Sequence, residues 1–203
     1  VTVLVTGFEP FAGDPANPSG DVLPLLAEVW TGPQPLVTAV LPVVFGAAGD
    51  RLAALVAAHE PLLVVALGLA GGRPGVTPER IAVNLDDARI PDNAGARPCD
   101  LPVVAGAPAA YFSTLPVKAA TAALRGAGVP ADLSHTAGSF ICNHVFFRLQ
   151  HLLAGSGVRS GFVHVPSTAE VALPDLARGL VAMLRAVLDH DGPDLPAVGG
   201  IVD

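Results

Sequence analysis

Thr136-Ala-Gly-Ser-Phe-Ile-Cys142-Asn-His-Val-Phe-Phe147 reads as the end of a strand, a tight glycine turn and a helix that opens at the cysteine. Past Cys142, apolar residues recur at Val145, Phe146, Leu149, Leu152 and Leu153. Those are helical offsets, so one stripe faces a core. The cysteine falls on the first turn, where backbone N–H groups lack partners and the helix dipole is positive. That location favours thiolate and is expected to lower the thiol pKa from about 8.5. The competing reading is a packed, inert cysteine, since free cysteine is often buried.

Working outward, the segments on either side alternate between strand and helix. Val1–Thr6, Leu36–Phe45 (interrupted by Pro42), Leu62–Leu67 and Gly161–Val165 read as apolar strands, and Leu133–Thr136 as a short one before the cysteine turn. Ile81–Leu85 alternates in the manner of a strand. Helices are expected over Ser19–Trp30 with Ser19 as cap, Asp50–His59, Thr114–Gly126 and Leu173–Asp189, followed by a Gly/Pro-rich tail. Strands apolar on both faces and separated by helices imply a mainly parallel sheet covered on both sides, with its site beyond the carboxyl ends of the strands.

The totals agree with a folded chain of 203 residues, 51% hydrophobic and 14% charged. They exclude a disordered acidic segment. A net charge of −7 with Lys118 as the sole lysine argues against a nucleic-acid surface. No run reaches the ~18 apolar residues of a membrane span, and no secretory leader precedes the first strand, so a soluble, cytoplasmic protein is expected. Cys99 and Cys142 then read as free thiols. Neither an internal repeat nor a linker divides the chain, so residues 1–203 read as one domain.

A cysteine nucleophile needs a base, usually histidine, and often a group that orients it. His144 follows Cys142 by two residues and so points to nearly the opposite side of the helix. His59, His151 and His190 fall in late helical turns, and His135 just precedes the cysteine turn. His164, at a strand end before Pro166, can meet a helix start at the same end of a sheet, although a hydrogen-bonded core histidine is an equal reading. Glu79 follows a Gly-rich turn, and on pattern alone a surface position is the better expectation. Asp86, Asp87 and Asp92 match no metal-ligand spacing, and Gly68–Gly72 runs into Pro74 without a phosphate-binding pattern. Neither metal nor nucleotide is expected.

Several blocks in one order carry a more specific signal. They are Val5-Thr-Gly-Phe-Glu-Pro-Phe11 with Asn17-Pro-Ser, Ala70-Gly-Gly-Arg73, Pro78-Glu-Arg-Ile-Ala-Val-Asn84, Asp87-Ala-Arg-Ile-Pro-Asp-Asn93, Ser113-Thr-Leu-Pro-Val-Lys118, the cysteine stretch through His144, and Phe162-Val-His-Val-Pro166. Together they make the chain resemble the pyroglutamyl peptidase I (pyrrolidone-carboxylate peptidase) family over nearly its whole length. The resemblance implies an α/β/α sandwich around a twisted, mostly parallel but partly mixed sheet. It implies Cys142 as nucleophile, His164 as general base and acid, Glu79 as the group orienting His164, and Arg89 in the region stabilising the oxyanion.

The implied activity is hydrolysis after an N-terminal pyroglutamyl residue through a thioester, without cofactor or metal, by a homodimer or homotetramer. The lactam ring is neutral and needs an apolar slot with a few polar pins. By resemblance Phe8 and Phe11 wall that slot, with Leu69, Ile90, Phe140 and Ile141 nearby, and Asn17 supports the loop or pins a carbonyl. Leu69 stands where many relatives carry glutamine, and the segment after Pro166 is shorter than in many of them. Two other readings stay open: a hydrolase of another small amide or lactam using the same three residues, and a pyroglutamyl-peptide binding protein with little activity.

Overall fold

The computed structural model describes residues 1–200; the last three residues of the expected tail and domain span lie outside them. Five strands form the main sheet: β1 (Val3–Phe8), β2 (Leu36–Leu41), β3 (Leu63–Leu69), β4 (Thr77–Pro78) and β7 (Arg159–Val165), in the order β2-β1-β3-β7-β4. The first four in that order run parallel, and β4 pairs antiparallel with β7 through Thr77 opposite His164. A separate antiparallel ribbon joins β5 (Ile81–Val83) to β6 (Ala110–Phe112). The sheet is therefore mixed, and one strand of it is only two residues long.

Period-two alternation sends each strand's side chains to opposite faces. Val3, Val5, Leu63, Val65, Leu67, Val163 and Val165 pack on one face under α1 (Pro18–Val29), α3 (Val117–Gly126) and α5 (Leu173–Asp189). Leu4, Phe8, Val64, Ala66 and Phe162 pack on the other under α2 (Ala47–His59) and α4 (Ile141–Leu153). Both faces are apolar because both are covered, which gives three layers. No helix among the described residues is long and apolar enough to cross a membrane.

Local chemistry departs from the sequence expectations at identifiable points. The α1 cap is Asn17, whose side chain accepts from the Ser19 N–H, while the Ser19 hydroxyl accepts from the Phe8 N–H. Pro18 then occupies the first helical turn, where its missing donor costs nothing. β2 stops at Leu41 because Pro42 cannot donate to a ladder, and the next N–H, of Val43, bonds the Glu9 carboxylate instead. Leu133–Thr136 is not a strand. It meets the chain around β4 at one isolated bridge, Glu79 with Ser134, and Ala131 just before it bridges Val76. Leu152 lies outside the buried stripe of α4 and is exposed.

β4 and β6 have no counterpart among the expected elements, being too short to carry a periodic signal. Phe8, beyond the end of the strand expected over Val1–Thr6, is the last residue of β1 and is buried.

The start of α4 is fixed by a fully buried amide. Asn143 accepts from the Val83 N–H and donates to the carbonyls of Val83 and Leu85, binding the first helical turn to β5. Asn143→Ala should lower unfolding stability by roughly 2–4 kcal/mol, since three backbone groups lose their partner in a dry site. Urea unfolding would record this as a lower midpoint at unchanged slope; a midpoint within error of the wild type would refute the assignment.

Candidate active site

The parallel strands deliver three residues to one end of the sheet. Phe8 ends β1, Leu69 ends β3, and His164 stands one residue before the end of β7. Strand order reverses around β1 and β3, and such a switch point leaves a crevice beyond the carboxyl ends. A cavity of about 880 Å³ lies there, and its lining includes Phe8, Leu69, Cys142 and His164.

Cys142 enters from above, on the first turn of α4. In the β3–β7 register Gly68 sits beside His164. A Cβ on Gly68 would lie 2.7 Å from Cys142 Sγ and 2.6 Å from the Phe162 ring. The sulfur therefore rests over a glycine whose lateral neighbour in the sheet is His164, and any larger residue at position 68 would push it away. The φ of +75° at Gly138 supplies the sharp turn before the helix.

His164 Nδ1 meets Glu79 Oε1 at 2.7 Å, and its ring packs edge-on against Phe162. Glu79 is not on the surface, as pattern alone suggested, but has no exposed area at all. The two-residue β4 accounts for this. Pairing with β7 carries the chain alongside His164, and the Glu79 N–H then bonds the Phe162 carbonyl, turning the carboxylate inward. Arg73 completes the cluster, donating through Nη1 to Glu79 Oε1 and to Thr77 Oγ1, both at 2.5 Å, and through Nη2 to the Thr136 carbonyl at 2.9 Å.

Cys142 corrects a sequence expectation. Burial pushes its thiol up to about 12, and the Glu79 carboxylate adds to the rise, while Arg73 and the Cys142 backbone N–H pull the other way. The residue itself is half-buried. It is the packing of Phe162 and Gly68 around the sulfur that removes water from it. The helix start lowers the thiol, as its position implies, but desolvation is larger. A thiol held this firmly becomes a nucleophile only when a neighbouring base takes its proton.

The remaining candidates divide clearly. Phe11, Ile90, Phe140 and Ile141 line the cavity, as does Arg89, which is exposed. The loop bearing Arg89 is held to the cysteine turn by paired bonds, from the Asp87 N–H to the Ser139 carbonyl and from the Ser139 hydroxyl to the Asp87 carbonyl. Asn17 borders the cavity, but its amide is engaged by Ser19 and by the Glu9 carbonyl, so it supports the loop. His144 points away from Cys142; its Nδ1 bonds Asp86 and its Nε2 accepts from the Gly46 N–H. Asp92 receives the N–H groups of Phe45, Ala94 and Ala96.

Among the described residues no group of three or more His, Cys, Asp or Glu side chains is placed to hold a metal. Residue-level reasoning missed Gly68, Asn143, Arg73, Arg97 and the free, exposed Cys99, the last two of which line the cavity. Only Asn143, a polar residue directly beside the cysteine at the start of the helix, carried a hint.

Because the raised thiol must lose its proton to react, alkylation by iodoacetamide should depend on His164. In His164→Ala the Cys142 rate should still climb about tenfold per pH unit at pH 10, as thiolate forms only near 12. A plateau below pH 9 would disprove the raised thiol. Gly68→Ala should leave a folded protein whose turnover falls by about 100-fold, the cost of a displacement near 1 Å; unchanged turnover would show that the sulfur is not confined there.

Comparison with known proteins adds an independent line. The family model for pyroglutamyl peptidase matches residues 1–188. A pyrrolidone-carboxylate peptidase of Streptomyces coelicolor is 52% identical over 195 residues, covering 91% of this chain and 90% of the relative. One from Cupriavidus pinatubonensis is 50% identical over 192 residues, covering 92% and 89%. Among solved structures, the pyrrolidone carboxyl peptidase of Thermococcus litoralis superposes with a TM-score of 0.92 at 35% identity, covering 97% of this chain and 99% of that one. Pyroglutamyl peptidase I of Bacillus amyloliquefaciens gives 0.90 at 35% identity, covering 96% and 99%.

Proposed function

The chain belongs to the pyroglutamyl peptidase family and is a cysteine peptidase of the pyroglutamyl-peptidase I type, and we propose that Cys142, His164 and Glu79 carry its reaction on peptides with an N-terminal pyroglutamyl residue. The observation that supports this most directly is the hydrogen bond between Glu79 and His164, whose imidazole lines the same cavity as the sulfur.

In this reading Glu79 accepts from His164 Nδ1–H. That fixes the tautomer with Nε2 free to act as a base. The lactam ring enters the apolar side of the cavity, against Phe8, Phe11 and Phe140. Asp87 is the one carboxylate in the described lining and shares it with Arg89 and Arg97, a balance that does not favour a cationic amine and suits a substrate whose amine is closed into the ring. His164 takes the thiol proton as sulfur bonds to the scissile carbonyl carbon. The oxyanion forms beside the first-turn N–H groups of α4, with Arg89 on the facing loop.

The carbon–nitrogen bond then breaks, the leaving amine takes the proton from His164, and a thioester remains. Water, deprotonated by the same imidazole, attacks the thioester to release pyroglutamate and restore the thiol. Leu69, Ile90 and Ile141 shape the slot, and Asn17 holds the loop that follows Phe8 in place through the Glu9 carbonyl. The Leu69 side chain has no hydrogen-bonding group, so that position can hydrogen-bond substrate only through its backbone. We read the assembly as a dimer or tetramer, to which exposed apolar residues such as Phe112 lend support, and its place as the cytoplasm.

A chromogenic pyroglutamyl anilide tests the assignment. Wild type should release the amine, Cys142→Ala and His164→Ala should abolish release, and Glu79→Gln should lower kcat by roughly 10²–10⁴-fold through loss of the tautomer. Binding of the anilide without release would instead favour a binding protein. Turnover of a different small amide alone would favour another hydrolase.

A further inference from the structure

Arg73 makes and breaks no bond in that reaction, yet its guanidinium meets every part of the cluster except the sulfur. It reaches Glu79 and Thr77 through Nη1 and the Thr136 carbonyl through Nη2, and Nη1 stands 3.5 Å from His164 Nδ1. Glu79 uses a single oxygen for both of its side-chain neighbours. Oε1 receives Arg73 at 2.5 Å and His164 at 2.7 Å, while the buried Oε2 has no hydrogen-bond partner among the described residues. Sharing one oxygen draws the guanidinium against the imidazole, so a protonated His164 meets a second positive charge at close range.

The charged or titratable groups facing His164 are Glu79 from the segment after β4, Arg73 from the β3–β4 loop and Cys142 from α4; its neighbours in the sheet, Gly68 and Phe162, are uncharged.

We propose that Arg73 is a positioning residue of this site: it holds the one Glu79 oxygen that His164 also uses, sets a positive charge against the imidazole that opposes the carboxylate's pull, and ties both to the turn preceding the nucleophile. The proposal rests on the roles assigned above to Cys142, His164 and Glu79. A carboxylate acting on imidazole with nothing opposing it would favour imidazolium, which cannot take the thiol proton. The Thr136 contact gives the same guanidinium a mechanical part, because Thr136 opens the turn that sets the start of α4.

The test is the pH dependence of kcat/KM on the anilide in Arg73→Met and Arg73→Lys. Alkylation of Cys142 by iodoacetamide, followed by peptide mass spectrometry, serves as a readout that needs no substrate. In Arg73→Met the acid limb of both profiles should move up by about one pH unit, as expected for removing a neighbouring charge. The loss should be largest below neutrality and recover as pH rises. Arg73→Lys should return the limb to its wild-type position while kcat stays reduced, because one ammonium cannot also hold the Thr136 carbonyl.

If Arg73→Met fails to fold, Arg73→Gln, which keeps a donor for Glu79 but no charge, carries the same expectation. A uniform fall in rate with the limb unmoved, or a limb displaced downward, would overturn the proposal. A wild-type protein with the alkylation limb but no pyroglutamyl turnover would overturn the function reading alone, and the limb shift in the variants would still support Arg73's role.

Discussion

A carboxylate with no exposed surface organises this molecule. Burying an isolated charge costs several kcal/mol, so Glu79 can be held only where partners replace its water. His164 and Arg73 do so on one side, and the surrounding backbone keeps the site closed. The Glu79 N–H is bonded to β7 and the Arg80 N–H to the Ser134 carbonyl, so the segment is clamped between the last parallel strand and the approach to α4. The smallest strand of the sheet thus positions its most expensive charge. Without the antiparallel β4, nothing would bring residue 79 to residue 164.

The sulfur is governed by two opposed effects whose sizes decide the outcome. A helix start favours a negative charge by about 0.3–2 kcal/mol. Removing a thiolate from water costs several kcal/mol. Packing against Gly68 and Phe162 lets the second prevail, so the thiol is raised in spite of its place on α4. A protonated sulfur is also a protected one, inert until a base and a substrate carbonyl are both in place. The same dryness strengthens every electrostatic contact among Glu79, Arg73 and His164.

Much of the architecture can be read from residue pattern. Runs such as Val3–Val5 and Leu63–Leu67 are apolar on both faces because helices cover both, and that alone implies a parallel sheet with its crevice at the carboxyl ends. The errors fall where tertiary contacts override local signal. Leu133–Thr136 has the composition of a strand but finds no ladder, since the place beside β7 is taken by β4. Asn17 displaces Ser19 as cap because the serine hydroxyl is needed by Phe8. His144, next but one to the cysteine, is fully engaged by Asp86 and Gly46 on the far side of the helix, an arrangement that helical spacing does indicate.

The sequence by itself determined the layered fold, the cysteine at a helix start and, through several ordered motifs, the family. These follow from periodicity, turn chemistry and linear order, which are local properties of a chain. Folding decided the rest: that Glu79 is buried, that Arg73 shares its oxygen with His164, and that the sulfur is dry enough to keep its proton. Charge and solvation at a site depend on which distant segments converge there. Residues 73, 79, 142 and 164 become neighbours only when the sheet is assembled.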